Sequence, residues 1–172
     1  SNAIQNPGDI PVTNHLVYES TSGTIDFTDY DGDYNVELIE SGNFTIIPSD
    51  FNTIYSASPV THNAYFSAIN QVDSLNDFAF QPIGVANDLC LSITPTSPFR
   101  AGAYGRYNIH YENVGNSTIN PTILFFPDTN VTFSFSAPVA TTITPDSVIW
   151  SIGNLLPFQS GNILVTVTVE PV

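Results

Sequence analysis

The sequence predicts an all-β protein built as two consecutive β-sandwich domains, and three observations carry that expectation. Apolar and polar residues alternate in short runs, the period of a half-buried strand. Turn residues such as Asp31-Gly32, Gly115-Asn116 and Pro127-Asp128 punctuate the runs. Charge density changes near the middle of the chain: residues 1–86 hold eleven acids and no base, residues 87–172 five acids and two arginines.

In the first half, Leu16 to Glu19 and Thr24 to Thr28 read as strands. Tyr34, Val36 and Leu38 share one face of a third, Phe44 and Ile46 mark a fourth, and Phe78 and Phe80 mark a last strand before Pro82. Between them, Tyr65, Ile69, Val72 and Leu75 fit helical spacing, but the all-strand context argues for a loop with a strand. In the second half, Leu89, Leu91 and Ile93 alternate with Asp88, Cys90 and Ser92, and Tyr107, Ile109 and Tyr111 with Asn108 and His110. Strands follow at Ile123 to Phe126, Val131 to Phe135 and Val148 to Ile152, and Ile163 to Val169 closes the series. The boundary is expected at Ile83-Gly84-Val85-Ala86-Asn87, a short apolar linker, giving domains over 4–86 and 87–172. Ser1-Asn2-Ala3 is set aside as a tag-removal scar.

Composition narrows the class of task. The 172 residues carry a net charge of −14, with 42% hydrophobic and 10% charged residues. Such a chain is apolar enough to bury a core. Its negative field argues against nucleic acid and anionic membranes, and no apolar run is long enough to span a bilayer. A single cysteine, Cys90, excludes an internal disulfide. The Ser, Thr and Asn bias with no lysine suggests a chain facing water outside the cell. An exposed edge strand could pair with a neighbour, but the net repulsion argues for a monomer.

Two families share motifs with the chain. Thr28-Asp29-Tyr30-Asp31-Gly32-Asp33-Tyr34, followed by Ser41-Gly42-Asn43-Phe44-Thr45-Ile46, resembles the carboxypeptidase regulatory-like (prealbumin-like) domain. Tyr107 to Asn116, Val148-Ile149-Trp150-Ser151-Ile152-Gly153-Asn154-Leu155 and the run Ile163 to Val169 are similar to the immunoglobulin-like repeat of bacterial surface proteins, often of Bacteroidetes. These resemblances imply a non-catalytic spacer or adhesion module of a secreted or cell-surface bacterial protein. Its partners would be neighbouring domains of the same longer chain, glycans or surface proteins. The alternative is a carbohydrate- or protein-binding accessory module of an extracellular enzyme. A Lys–Asn isopeptide lock is excluded because the chain has no lysine.

The sharpest local feature is Asp29-x-Asp31-Gly32-Asp33, with Glu37 and Glu40 downstream. Crowded hard oxygen donors suit calcium, and Asp29, Asp31 and Asp33 are its candidate ligands. Asp29, Asp31, Asp33 and Glu40 match EF-hand ligand positions, but Tyr34 stands where that loop needs glycine. The competing reading is a hairpin tip of solvated carboxylates, whose mutual repulsion at strand spacing is only about 0.6 kcal/mol in water. The scattered His15, His62 and His110 do not suggest zinc, and Gly-x-Ser-x-Gly is absent. No enzymatic constellation is legible. Trp150 is expected in the second core rather than on a sugar-stacking platform, and Tyr55, Tyr65 and Phe66 in the first core. Asn43, Asn116 and Asn130 match the glycosylation pattern, as an Asn- and Thr-rich chain does by chance.

Overall fold

The computed structural model describes residues 9–49 and 53–171. Among them every regular element is a strand, every ladder is antiparallel, and there is no helix. None of it could cross a membrane as a helix. The chain divides into two compact units, Ser1–Val85 and Ala86–Val172.

The first unit contains β1 (Leu16–Glu19), β2 (Ile25–Phe27), β3 (Gly42–Pro48), β4 (Tyr55–Ser58), β5 (His62–Phe66) and β6 (Ala79–Pro82). They form a four-stranded sheet, β2-β1-β3-β5, and a separate β4-β6 pair. One face of the larger sheet carries Val17, Ile46 and Ala64, all buried, and Tyr55 of β4 is buried as well. The other face leaves Ile25 and Phe27 about half exposed.

One expected strand is corrected in this unit. Residues 34–38 form no strand: Tyr34, Val36 and Leu38 are half-buried and their neighbours exposed, so the alternation is real, but no ladder pairs it. From Tyr65 to Leu75 the structure has the expected strand and loop: β5 takes Tyr65 and Phe66, residues 67–78 hold neither helix nor strand, and Ile69, Val72 and Leu75 stand in solvent. Their helical spacing finds no apolar surface to face, and packing rather than propensity decides a short helix. The aromatic trio also divides: Tyr55 is buried, whereas Tyr65 is 69% exposed on edge strand β5.

The second unit contains β7 (Leu89–Pro95), β8 (Tyr104–Asn113), β9 (Thr122–Phe125), β10 (Val131–Ala137), β11 (Thr142–Ile143), β12 (Val148–Ser151) and β13 (Ser160–Val169). A four-stranded sheet, β10-β13-β8-β7, faces a three-stranded one, β11-β12-β9. Ile109, Ile163, Val165 and Val167 of the first and Ile123, Val148 and Trp150 of the second form one buried cluster. Two antiparallel layers closing on one core fit a β-sandwich. The long β8–β13 ladder, in register from Ser160↔Glu112 to Thr168↔Tyr104, is its spine. Phe99 lies over Gly105 of β8, where a Cβ would sit 2.3 Å from the ring, so only glycine lets that ring cover the sheet and reach Tyr107.

Candidate binding surfaces and buried polar sites

The aspartate loop is built by its own backbone. Asp29 Oδ1 accepts the amides of Asp31 (2.9 Å) and Asp33 (3.0 Å). The Asp29 amide donates to the Asp33 carbonyl and the Gly32 amide to the Asp29 carbonyl. This is an Asx-type turn, in which a short carboxylate stands in for a backbone acceptor. Gly32 sits at φ +87° with the position of a Cβ 3.2 Å from Pro11 Cβ, so the turn needs glycine twice over. Asp29 is thereby a turn former. Among the described residues no three His, Cys, Asp or Glu side chains are grouped so that they could hold a metal ion.

A carboxylate that sequence reasoning passed over is the more tightly bound one. Glu19, the last residue of β1, is fully buried. Its Oε2 accepts the Thr21 amide (2.9 Å), the Ser22 amide (2.6 Å) and the Ser22 hydroxyl (2.8 Å); Oε1 accepts the Thr45 amide (3.4 Å). Burial by itself would raise its pKa. The bonds from Ser22, Thr21 and Thr45 outweigh that and bring it down to about 2. Glu19 therefore ties the β1–β2 turn to β3. An acid followed by Ser20-Thr21-Ser22-Gly23 was the available signal, because small hydroxyl residues and glycine can fold back onto a carboxylate.

His15 is the second buried polar group of this unit. Its ring packs edge-on against Phe80 of β6 at 4.8 Å, and Nε2 lies 2.9 Å from the Ser49 carbonyl and 3.4 Å from the Ser49 hydroxyl. Desolvation lowers its pKa, partly offset by the Ser49 carbonyl. A carbonyl only accepts, so Nε2 carries the proton and donates it there. In that tautomer Nε2 cannot take a proton from Ser49, and the pair does not make an activated serine. Beside it, Ile47, Pro48, Ser49, Tyr55, Ser56, Val60 and Phe80 help line an open cleft of about 430 Å³, and among the described residues of its wall none is charged. Burial raises the pKa of the Tyr55 phenol, which stays neutral there. Across the unit, Tyr34 donates to the Asn76 carbonyl at 2.6 Å and fastens residues 67–78 to the segment after the aspartate loop.

In the second unit the residues that carry the family resemblance meet in space. Asn113 is fully buried; its Nδ2 donates to the carbonyls of Ser117 (2.8 Å) and Leu155 (2.9 Å), and its Oδ1 accepts the Gly115 amide (3.0 Å). The Asn-x-Gly piece after β8 thus clasps the Gly-x-Leu piece after β12, where Leu155 is buried and bridges Ile119. Asn116 is nearly buried and exchanges two bonds with Ala86, its amide donating to the Ala86 carbonyl and its Oδ1 accepting the Ala86 amide. That geometry is closed to a glycan, whereas Asn43 and Asn130 are exposed. Trp150 is 1% exposed, and its indole N–H is shared between Ser136 Oγ (3.1 Å) and the Pro138 carbonyl (3.2 Å). It is a core residue and cannot serve as a stacking platform in the folded chain.

The outer face of the four-stranded sheet is mixed, with exposed Tyr104, Phe135 and Leu164 among polar side chains. Asn108 Nδ2 donates to Asn162 Oδ1 at 2.9 Å, and His110 lies beside the same oxygen and 3.9 Å from Glu112. Cys90 is exposed. His15, His62 and His110 each find their own local partner: the Ser49 carbonyl, the Asp77 carbonyl and Asn162. Comparison with protein-family models, with curated proteins and with solved structures finds no match to this chain.

Proposed function

We propose that the chain is a non-catalytic spacer or adhesion module of a secreted or cell-surface bacterial protein. In this reading residues 4–86 are a prealbumin-like, carboxypeptidase regulatory-like sandwich and residues 87–172 an immunoglobulin-like one. They work beside neighbouring domains of a longer chain, with surface proteins or glycans as outside partners. The observation that carries the reading is where the buried polar groups point. Glu19, Asn113 and Trp150 all bond to groups of their own unit. Side chains committed inward in this way serve packing and turn geometry, not a reacting substrate. Seven strands arranged four against three support the immunoglobulin-like assignment by number. Their order is distinct: the last strand, β13, lies beside the second, β8, where the constant-type domain places its fifth.

The second reading, an accessory binding module, rests on the cleft beside Tyr55 and Val60. The described residues of its wall are uncharged and mix aromatic, aliphatic and hydroxyl side chains, which suits a neutral ligand such as a sugar or an apolar side chain. A glycan array probed with the whole chain separates the two. A pure spacer gives no selective signal, while selective binding that Val60→Asp abolishes with the fold intact refutes a pure spacer and assigns the binding to this cleft; selective binding that Val60→Asp leaves unchanged refutes the cleft as the site.

A further inference from the structure

Among the described residues β7 pairs with β8 alone, so its other edge is open. No residue of β7 is buried. Leu91 and Ile93 are each 51% exposed, although their partners Tyr111 and Ile109 stand on the core side of β8. The three-stranded layer does not cover β7, and its inward side chains are left in water.

The other edges are shorter or blunted. β2 has three residues and carries Asp26, β11 has two, and β9 and β5 have four and five. β10 is as long as β7 but is broken by a register shift between Phe133 and Phe135, a bulge of the kind that turns an edge away from partners. By contrast β7, Leu-Cys-Leu-Ser-Ile-Thr-Pro, has seven residues with no charge, and only Pro95 at its end guards it.

We infer that the open edge of β7 adds the β7 of a second copy of this chain, antiparallel about Ser92. That register sets Leu91 opposite Ile93 twice, Cys90 opposite Thr94 and Leu89 opposite Pro95, so the strand is its own complement. Four half-exposed aliphatic side chains then cover one another, and two four-stranded sheets become one of eight. Charge permits it. The repulsion of the −14 chain resides in residues 1–86; residues 87–172 carry five acids against two arginines, and the strand itself carries none. Two seven-residue strands bury less than the roughly 1,600 Å² of a standard interface, so the dimer is weak, with a dissociation constant on the order of 0.1 mM. The inference goes beyond the spacer reading and does not depend on it.

Sedimentation velocity of the full chain from about 10 µM to about 1 mM tests it, since that range brackets the expected midpoint. Monomer shifts to dimer with concentration, and Leu91→Lys or Ile93→Lys abolishes the shift while Trp150 emission stays native. A second variant reads the register without touching the apolar pairs. In Thr94→Cys, Cys90 faces the new thiol across the dimer at the 4.5–5.5 Å Cα spacing of an antiparallel pair, within disulfide reach. In the parent, the two Cys90 lie about 14 Å apart along the strands. Mild oxidation therefore crosslinks Thr94→Cys at least tenfold faster than the parent. A chain still monomeric at about 1 mM leaves the edge to a strand of some other protein and overturns the inference. So does a dimer that survives folded Lys variants, or equal crosslinking of parent and variant.

Discussion

Replacing Glu19 by glutamine removes one negative charge from a fully buried position and changes almost nothing in volume. In the parent, Oε2 accepts three hydrogen bonds and Oε1 a fourth. The substituted amide can turn its carbonyl oxygen to the Thr21–Ser22 cluster, but its NH2 then meets the Thr45 amide, donor against donor. Hydrogen bonds to a charged acceptor are worth about 1.5–3 kcal/mol, and a mispaired buried donor costs about 1–3 kcal/mol. Some charge-assisted bonding survives as neutral bonding, so the expected loss is about 2–3 kcal/mol. For a unit of this size that lowers the melting temperature by about 10–20 °C. Calorimetry at pH 7 reads it, and Trp150 emission, which reports the second unit, should not follow. The pH dependence adds a sign. The carboxylate titrates near 2 in the folded chain against 4.5 when free. Its stabilisation is therefore complete above pH 4.5 and is lost as the pH falls toward 2. His15 contributes earlier: its lowered pKa makes folding less favourable as pH drops below about 6.5. The parent should lose stability steeply between pH 4.5 and 2, and Glu19→Gln should be flatter there. A first-unit melting temperature within about 2 °C of the parent, or an equally steep acid limb, would refute the argument that these bonds hold the turn.

Trp150→Ala removes the largest fully buried side chain and should destabilise the second unit by about 3–5 kcal/mol, read by denaturant unfolding followed by circular dichroism. Thr166→Val should instead stabilise that unit by about 1 kcal/mol, because the buried Thr166 hydroxyl has no hydrogen-bond partner among the described residues; a lower denaturant midpoint would count against it. Asp29→Ala should cost about 1 kcal/mol, since Asp29 caps two amides of its turn, while Asp31→Asn should cost nothing measurable. Millimolar calcium should give no calorimetric heat with the parent; a clear saturable isotherm, lost in Asp31→Asn, would establish the calcium site.

Period-two burial was legible where a strand lies on a core and faces water on its other side. Leu16–Glu19 and the run around Ile163, Val165 and Val167 stand where alternation puts them. It failed where pairing rather than burial decides. Residues 34–38 alternate in exposure without a ladder, and hydrogen-bond partners cannot be read from one segment alone. Strand β11 has two residues, too few to show a period, and β4, Tyr-Ser-Ala-Ser, offers only small Ala57 to mark a period with Tyr55. Leu91 and Ile93 alternate correctly, yet remain half exposed because the opposing layer has one strand fewer, a fact of sheet width that no local pattern contains. Among candidate sites, the aspartate cluster drew attention through its charge, whereas Glu19 and Asn113 are distinguished only by what folds over them. Asn113 was visible as part of a motif, but its grip on Leu155 spans 42 positions.

The placement of β8 has a mechanical consequence. Strands β7 and β13 flank it, both antiparallel to it and so parallel to each other. Leu89, the first residue of β7, lies at the Asn113 end of β8; Thr168, near the end of β13, lies at the Tyr104 end, roughly 30 Å away at strand spacing. Tension drawn through these two ends runs along the strands, so the rungs on both sides of β8 are sheared together instead of being peeled open one by one.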